Sequence, residues 1–191
     1  LIMEEIDPGR LKLDDIVTAS ERAESMGGST MFLEVGEQMT VHDMLRGIAV
    51  ASANDGCVAM AEHIAGSEEA FVAMMNKKAE ELGMLNTQFI NTNGLGADGH
   101  FSSARDVALM SRELLTHEKI FDYTTIWTDT MRDGKFALAN TNKLIRFYPG
   151  ANGLKTGSTS QAGCCISASA ERDGMQLIAV VLGSPTSAKR F

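Results

Sequence analysis

The segment Lys155-Thr156-Gly157 combines residue types that suit the binding of a carboxylate. It lies between the glycine-rich turn at residues 150–153 and two apolar runs that have the length of strands. A lysine on an edge strand can hold a carboxylate through a charge-assisted hydrogen bond. The small residues behind it allow an extended substrate backbone to lie close to the strand. The triplet is short, so its meaning depends on the rest of the chain.

A second triplet, Ser52-Ala53-Asn54, occurs much earlier, at a break between two predicted helices. By itself it is explained at least as well by a helix end, with Asn54 capping the next helix. The two triplets in this order are, however, two of the three elements of serine acyl-transfer sites: Ser-x-x-Lys, Ser-x-Asn and Lys-Thr-Gly. The pair therefore predicts acyl-transfer chemistry.

Helical periodicity and capping residues predict a mainly helical region around Ser52. The helix before the break begins at a capping box, Thr40-Val41-His42-Asp43, and the helix after it ends at Gly66. Residues 11–39 lack a clear period and are predicted to be loops with short extended pieces. The other predicted helices are residues 1–6, Glu68–Leu82 behind the cap Ser67, and a helix that begins behind Ser103.

Strand signals concentrate near the end of the chain. Gly163–Glu171 and Met175–Gly183 form the clearest hairpin, and Asp133-Gly134 indicates another turn. Thr87–Ile90 is predicted as a short strand before a glycine-rich loop at Asn91–His100. Helices followed by an antiparallel hairpin favour an α+β fold. We expect one domain over residues 1–191, with a mainly helical lobe over about 1–135 and a sheet portion over about 150–191.

The chain resembles the low-molecular-mass penicillin-binding proteins, which are serine-type D-alanyl-D-alanine carboxypeptidases of the bacterial cell wall. The resemblance extends over nearly the whole chain. It implies the penicillin-binding/β-lactamase-like fold, in which a helical lobe packs on an antiparallel sheet. The segments that carry it, besides the two triplets, are Ser25–Ser29, Glu62–Gly66, Glu81–Met84, Phe101–Asp106 and Ala168–Gly183.

One family motif, Ser-x-x-Lys, does not occur, because no serine of the chain has a lysine three residues later. In the family this motif opens the helix whose tail resembles residues 1–6. We therefore expect that the chain begins just downstream of its nucleophile and that the first strands of the sheet are missing with it. Two alternatives stay open: the N-terminal piece is a separate chain, or the sequence covers only an ordered part.

The resemblance implies a role for each residue of the two triplets. The nucleophilic serine, outside the chain, would attack the carbonyl between two D-alanines, and a lysine that is also outside the chain would act as its base. Ser52 would relay a proton to the leaving amine, and Asn54 would hold the substrate backbone. Lys155 and Thr156 would bind the terminal carboxylate beside Gly157, and the Ser158 N–H would belong to the oxyanion hole. No metal or organic cofactor is needed.

Two other functions fit parts of the sequence. A class A-like β-lactamase needs a Glu-x-x-Leu-Asn segment, and Glu81–Asn86 is one residue too long and lies at a predicted helix end. A non-catalytic peptidoglycan-binding homologue would account for the absent nucleophile if the chain were complete, but it has no need of Ser52, Asn54 and Lys155. A phosphate-binding loop is excluded because Leu154 stands where glycine must precede the lysine.

The amino-acid composition of the chain limits the classes of ligand and partner that it is expected to bind. With 17 basic and 25 acidic residues the formal charge is −8, which argues against nucleic acid. The four histidines lack metal-ligand spacing, so no metal is expected. The expected partners are peptidoglycan stem peptides ending in D-Ala-D-Ala and β-lactam antibiotics. The resemblance implies an exported, extracytoplasmic protein of the cell envelope, with membrane association only through a C-terminal region outside the chain.

Overall fold

A computed structural model describes all 191 residues and shows an α+β architecture. Helices dominate the first two thirds of the chain, and a three-stranded antiparallel sheet follows. The helices are α1 (Ile2–Ile6), α2 (Glu21–Glu24), α3 (Val41–Arg46), α4 (Asn54–Ala65), α5 (Glu68–Glu81), α6 (Ala104–Leu114), α7 (Phe121–Thr124) and α8 (Leu144–Phe147).

The strands form three separate antiparallel sheets. β1 (Ile16–Thr18) pairs with β2 (Gln38–Thr40), and β3 (Thr128–Met131) pairs with β4 (Phe136–Ala139) across the predicted Asp133-Gly134 turn. The largest sheet has the order β5 (Ala151–Thr159), β6 (Gly163–Arg172) and β7 (Met175–Ser184). Lys155 lies in the middle of β5, opposite Ser167 of β6. This edge strand is therefore longer than the lysine motif alone indicates.

The helix caps follow the sequence prediction. The hydroxyls of Thr40, Ser67 and Ser103 each accept a hydrogen bond from the backbone N–H three residues later. Ser20 caps α2 in the same way, within a region whose sequence predicts loops and short extended pieces. That helix is only four residues long, too short for a hydrophobic period to be visible in the sequence.

The predicted strand at Thr87–Ile90 is wrong. Only Gln88 pairs, in a single bridge with Phe101, and no ladder follows. At the next residue, Phe89, the side chain of Asn76 takes the place of a neighbouring strand. Its Nδ2 donates to the Phe89 carbonyl oxygen, and its Oδ1 accepts from the Phe89 backbone N–H. The backbone groups of this segment are thus satisfied by a side chain of α5 rather than by a neighbouring strand.

The hydrophobic core joins the helices to the two small sheets. Its fully buried members include Met31, Met44 and Met60, with Val17 and Tyr123 around them. Methionine fills irregular gaps between elements that cross at different angles, which fits a core shared by helices, strands and loops. None of the helices has the length and apolar character that a membrane crossing requires.

Candidate active site

The break between α3 and α4 consists of a π-helical turn followed by one residue in the left-handed conformation. After α3 the chain passes through a π-helical turn, Gly47–Ala51, and then reaches Ser52 in the left-handed conformation, with φ 62° and ψ 41°. π-Turns and left-handed non-glycine residues are costly locally and concentrate at functional sites. The turn presents the Ser52 hydroxyl, and α4 restarts two residues later.

Lys155 reaches Ser52 from the middle of β5. Its Nζ donates to the Ser52 Oγ at 2.7 Å and to the Thr156 carbonyl oxygen at 2.9 Å. The structure thus joins the two sequence triplets in direct contact. No carboxylate pairs with this ammonium group, so its charge is compensated only by neutral oxygen atoms.

Asn54 does not cap α4. It is the first residue of the helix, Ala53 occupies the cap position, and the Asn54 amide Nδ2 donates to the Gly27 carbonyl oxygen at 2.8 Å. The interpretation of this triplet as a simple helix cap is therefore wrong. The bond to Gly27 fixes the orientation of the amide, and Asn54 lines the cleft described next.

A polar cleft of about 560 Å³ collects every site residue that the sequence indicates. Its walls are β5, the Ser52 turn, residues of the Gly28–Ser29 segment, and the glycine-rich loop after α5. Only three of its lining residues are hydrophobic, so the cleft suits a polar ligand. The lining residues include Ser52, Asn54, Lys155, Thr156, Gly157 and Ser158.

The environment of Lys155 favours loss of its proton. The residue borders both the polar cleft and an apolar cavity of about 420 Å³ on its other side. Burial, with a smaller contribution from the nearby Arg190 charge, lowers the pKa of Lys155 to about 8. Cys57 borders the same two cavities, and burial raises the pKa of its thiol to about 12. Of this pair, the lysine is therefore the group whose pKa lies closer to neutral pH.

Arg190 and Thr141 are polar residues of the cleft that no sequence motif indicates. Arg190 lies in a short 3₁₀ turn after β7 and donates to the Gly157 carbonyl oxygen at 3.1 Å, while its buried Nε has no hydrogen-bond partner. Thr141 contacts the Thr156 hydroxyl. The only sequence signal for Arg190 is a cation shortly after the final strand, which is too common to be informative.

A cluster of metal-ligating residue types lies outside the cleft. Glu4, Glu113 and His117 bring ligand atoms within 4.8 Å of one another, and none of them lines the cleft. The Lys78 Nζ already pairs with Glu4 at 2.6 Å, and the Nδ1 of His117 bonds Asp7. These contacts engage two of the three residues, and the cluster lies apart from the cleft, so it assigns no metal to the cleft.

Comparisons with known proteins identify the family of the chain. Residues 1–186 match the family model described as Peptidase_S11, D-alanyl-D-alanine carboxypeptidase. The chain is 55% identical over 193 residues to the D-alanyl-D-alanine carboxypeptidase DacF of Bacillus subtilis, covering 100% of this chain and 50% of that protein.

Solved structures agree with the sequence match. Penicillin binding protein 6B from Escherichia coli superimposes with a TM-score of 0.91 at 38% identity, over 99% of this chain and 62% of that chain. Penicillin-Binding Protein D2 from Listeria monocytogenes, solved in an ampicillin-bound form, gives a TM-score of 0.86 at 30% identity, over 99% and 77%. The fold is that of the penicillin-binding proteins.

The chain belongs to the D-alanyl-D-alanine carboxypeptidase family, peptidase S11. It spans about half the length of the curated relatives that it matches. The resemblance seen in the sequence motifs is thereby confirmed at the level of family and fold.

Proposed function

We propose that the full-length protein containing this chain is a serine carboxypeptidase that removes the terminal D-alanine from peptidoglycan stem peptides through an acyl-enzyme. The observation that carries the proposal is the contact of Lys155 with Ser52 inside a polar cleft that Asn54 also lines. A partly buried ammonium group bonded to a hydroxyl, with an oriented amide beside it, suits transfer of an acyl group with movement of one proton.

The nucleophilic serine and its lysine base belong, in this proposal, to residues outside this chain, since no Ser-x-x-Lys occurs within it. The lysine base would take the proton of the serine hydroxyl, and the serine Oγ would form a bond to the carbonyl carbon as the bond to the leaving D-alanine nitrogen breaks. Ser52, already polarised by Lys155, would pass its hydroxyl proton to that nitrogen and receive in its place the proton that the lysine base took from the nucleophile. Water would then hydrolyse the ester and release the shortened peptide.

Substrate binding would use the two cations of the cleft. The carboxylate of the terminal D-alanine needs positive charge and hydroxyl donors, and Lys155, Arg190 and the Thr156 hydroxyl all line the cleft. Arg190 adds a second positive charge close to Lys155, where its charge helps to lower the lysine pKa. Asn54 would hold the peptide backbone, and the Ser158 N–H would serve in the oxyanion hole.

β-Lactams would acylate the same site because they present a carboxylate and a strained amide in the same relative positions. A related protein has been solved in ampicillin-bound and cefotaxime-bound forms, which supports this part of the proposal. Peptidoglycan lies outside the cytoplasmic membrane, so the protein would act in the cell envelope.

The test is covalent labelling and product release by the full-length protein. It should bind a fluorescent penicillin covalently and release D-alanine from a peptide ending in D-Ala-D-Ala, whereas residues 1–191 alone should not be labelled. Labelling without D-alanine release, together with rapid penicillin hydrolysis, would instead identify a β-lactamase. Absence of both labelling and release would leave a binding protein and overturn the proposal.

A further inference from the structure

We propose that Thr141 is a positioning residue that orients the Thr156 hydroxyl toward the carboxylate of the substrate. This role rests on the proposed function. It is carried by a separate observation, namely that the hydroxyls of Thr141 and Thr156 are hydrogen-bonded to each other at the wall of the cleft. Thr141 lies in the connection between β4 and α8, outside both motif segments of the chain.

The position of Thr141 is fixed by two buried asparagines on either side of it. The Asn140 side chain donates to the Ile126 carbonyl oxygen at 2.8 Å, and its Oδ1 accepts from the Asn142 backbone N–H at 2.9 Å. Asn142 in turn donates to the Gly153 carbonyl oxygen at 2.9 Å, two residues before Lys155 on β5. This segment is therefore anchored directly to the strand that carries the carboxylate-binding residues.

Both asparagines are almost inaccessible, at 6% and 1% exposure, while Thr141 between them is exposed and lines the cleft. Buried amides that satisfy their hydrogen bonds hold one defined conformation, because leaving any of them unpaired is costly. The arrangement thus presents one hydroxyl at a set position beside Thr156.

Which of the two hydroxyls donates the hydrogen bond decides whether Thr156 can also donate to a ligand. Each threonine hydroxyl has a single proton and two acceptor lone pairs. If Thr156 donates to Thr141, its proton is not free for a ligand. An arriving carboxylate can only accept, so it favours the arrangement in which Thr141 donates to Thr156 and Thr156 donates to the carboxylate. A chain of this kind polarises each bond along it and strengthens the last one. Thr141 thereby tunes the affinity for a negatively charged terminus.

The experiment compares Thr141→Val and Thr141→Ser in the full-length enzyme. Valine keeps the shape but removes the hydroxyl, whereas serine keeps it. The readout is kcat/KM for a peptide ending in D-Ala-D-Ala and for the same peptide with its terminal carboxylate converted to a carboxamide. Thr125→Val, at an exposed threonine outside the cleft, controls for loss of a hydroxyl in general.

We expect valine to lower the rate on the acid about three- to tenfold, the range of one neutral hydrogen bond, and to leave the rate on the amide unchanged. The Thr141→Ser variant should restore the ratio of kcat/KM on the acid peptide to kcat/KM on the amide peptide. The role would be overturned if Thr141→Val lowered kcat/KM equally on both peptides or changed neither. It would also be overturned if Thr141→Ser were as slow on the acid as Thr141→Val. Inactivity of the unmodified enzyme would instead overturn the proposed function on which the role rests.

Discussion

The Nζ of Lys155 lies 2.7 Å from the Oγ of Ser52, although 103 residues separate them in the chain. This contact links a π-helical turn of the helical part to the edge strand of the sheet. Lys155 forms no ion pair, so the contact leaves a positive charge in the cleft that an incoming anion can neutralise.

Removing this charge should weaken acylation strongly. In the full-length enzyme, Lys155→Ala should lower the rate of penicillin acylation by about a hundredfold, because a charge-assisted hydrogen bond contributes about 3 kcal/mol at most. The measurement is the second-order rate of labelling by a fluorescent penicillin. Lys77→Ala is the matched control, since the Lys77 side chain is 79% exposed. Equal rates for Lys155→Ala and the control would remove Lys155 from the site.

The pKa of Lys155, lowered to about 8, gives a pH dependence with a defined sign. Below this pKa the amine is protonated and binds the carboxylate, and above it the amine becomes neutral, so kcat/KM should fall as the pH rises. A bound carboxylate favours the charged form, so it should raise this pKa.

The pH profile can be assigned with Lys155→Arg. Arginine stays protonated throughout this range, so the variant should lose the decline near pH 8 even if its absolute rate is lower. NMR titration of the lysine side-chain methylene carbons in the full-length protein, with the Lys155 resonance assigned by its loss in Lys155→Arg, provides a direct reading. A lysine resonance that titrates only near its ordinary pKa of about 10.4 would contradict the prediction.

Asp55, next to Asn54, should be a stability residue rather than a catalytic one. It is 1% exposed, and its carboxylate accepts from the backbone N–H groups of Met31, Leu33 and Gly56 at 2.9–3.1 Å. Asp55→Ala leaves these donors buried and unpaired, which should lower the free energy of unfolding by about 3 kcal/mol.

The measurement for Asp55 is urea unfolding of the full-length protein. Asp14→Ala, at an exposed aspartate, should change the stability by less than about 0.5 kcal/mol. A similar small effect at both positions would show that water or local rearrangement satisfies the three N–H groups after the carboxylate is removed.

Short motifs in the sequence encode part of the site. Ser52, Asn54 and Lys155 could be predicted to share one cleft because the two triplets stand in the order of a serine acyl-transfer site, and the helix caps could be found from Thr40 and Ser67. These features depend on neighbouring residues, so local patterns suffice to predict them.

Features that depend on distant residues could not be predicted. Thr141 reaches Thr156 only because its neighbouring asparagines bond to carbonyl groups of other segments. Arg190 enters the cleft only through the packing of the 3₁₀ turn after β7. The bridge at Gln88 stops short of a strand because a side chain of α5 takes over the backbone bonds. No hydrophobic period or short motif in the sequence indicates any of these contacts.

Gly28 should be required for the orientation of Asn54. It has a φ of +79°, and a Cβ at this position would lie 2.7 Å from the Asn54 Nδ2. Gly9 has the same φ, with no atom within 4 Å of the corresponding Cβ, so it is a matched control. Both Gly→Ala changes should cost about 1 kcal/mol of stability through left-handed strain, and Gly28→Ala should cost more because the displaced Asn54 amide loses its bond to the Gly27 carbonyl oxygen.

Only Gly28→Ala should also affect acylation. Displacing the Asn54 amide removes one hydrogen bond to the substrate backbone, so the rate of penicillin labelling should fall about tenfold, while Gly9→Ala should label at the unmodified rate. Thermal unfolding measured on both variants separates the strain common to them from the effect on the site. If the two variants lose stability equally and label equally fast, the contact between Gly28 and Asn54 does not control substrate binding.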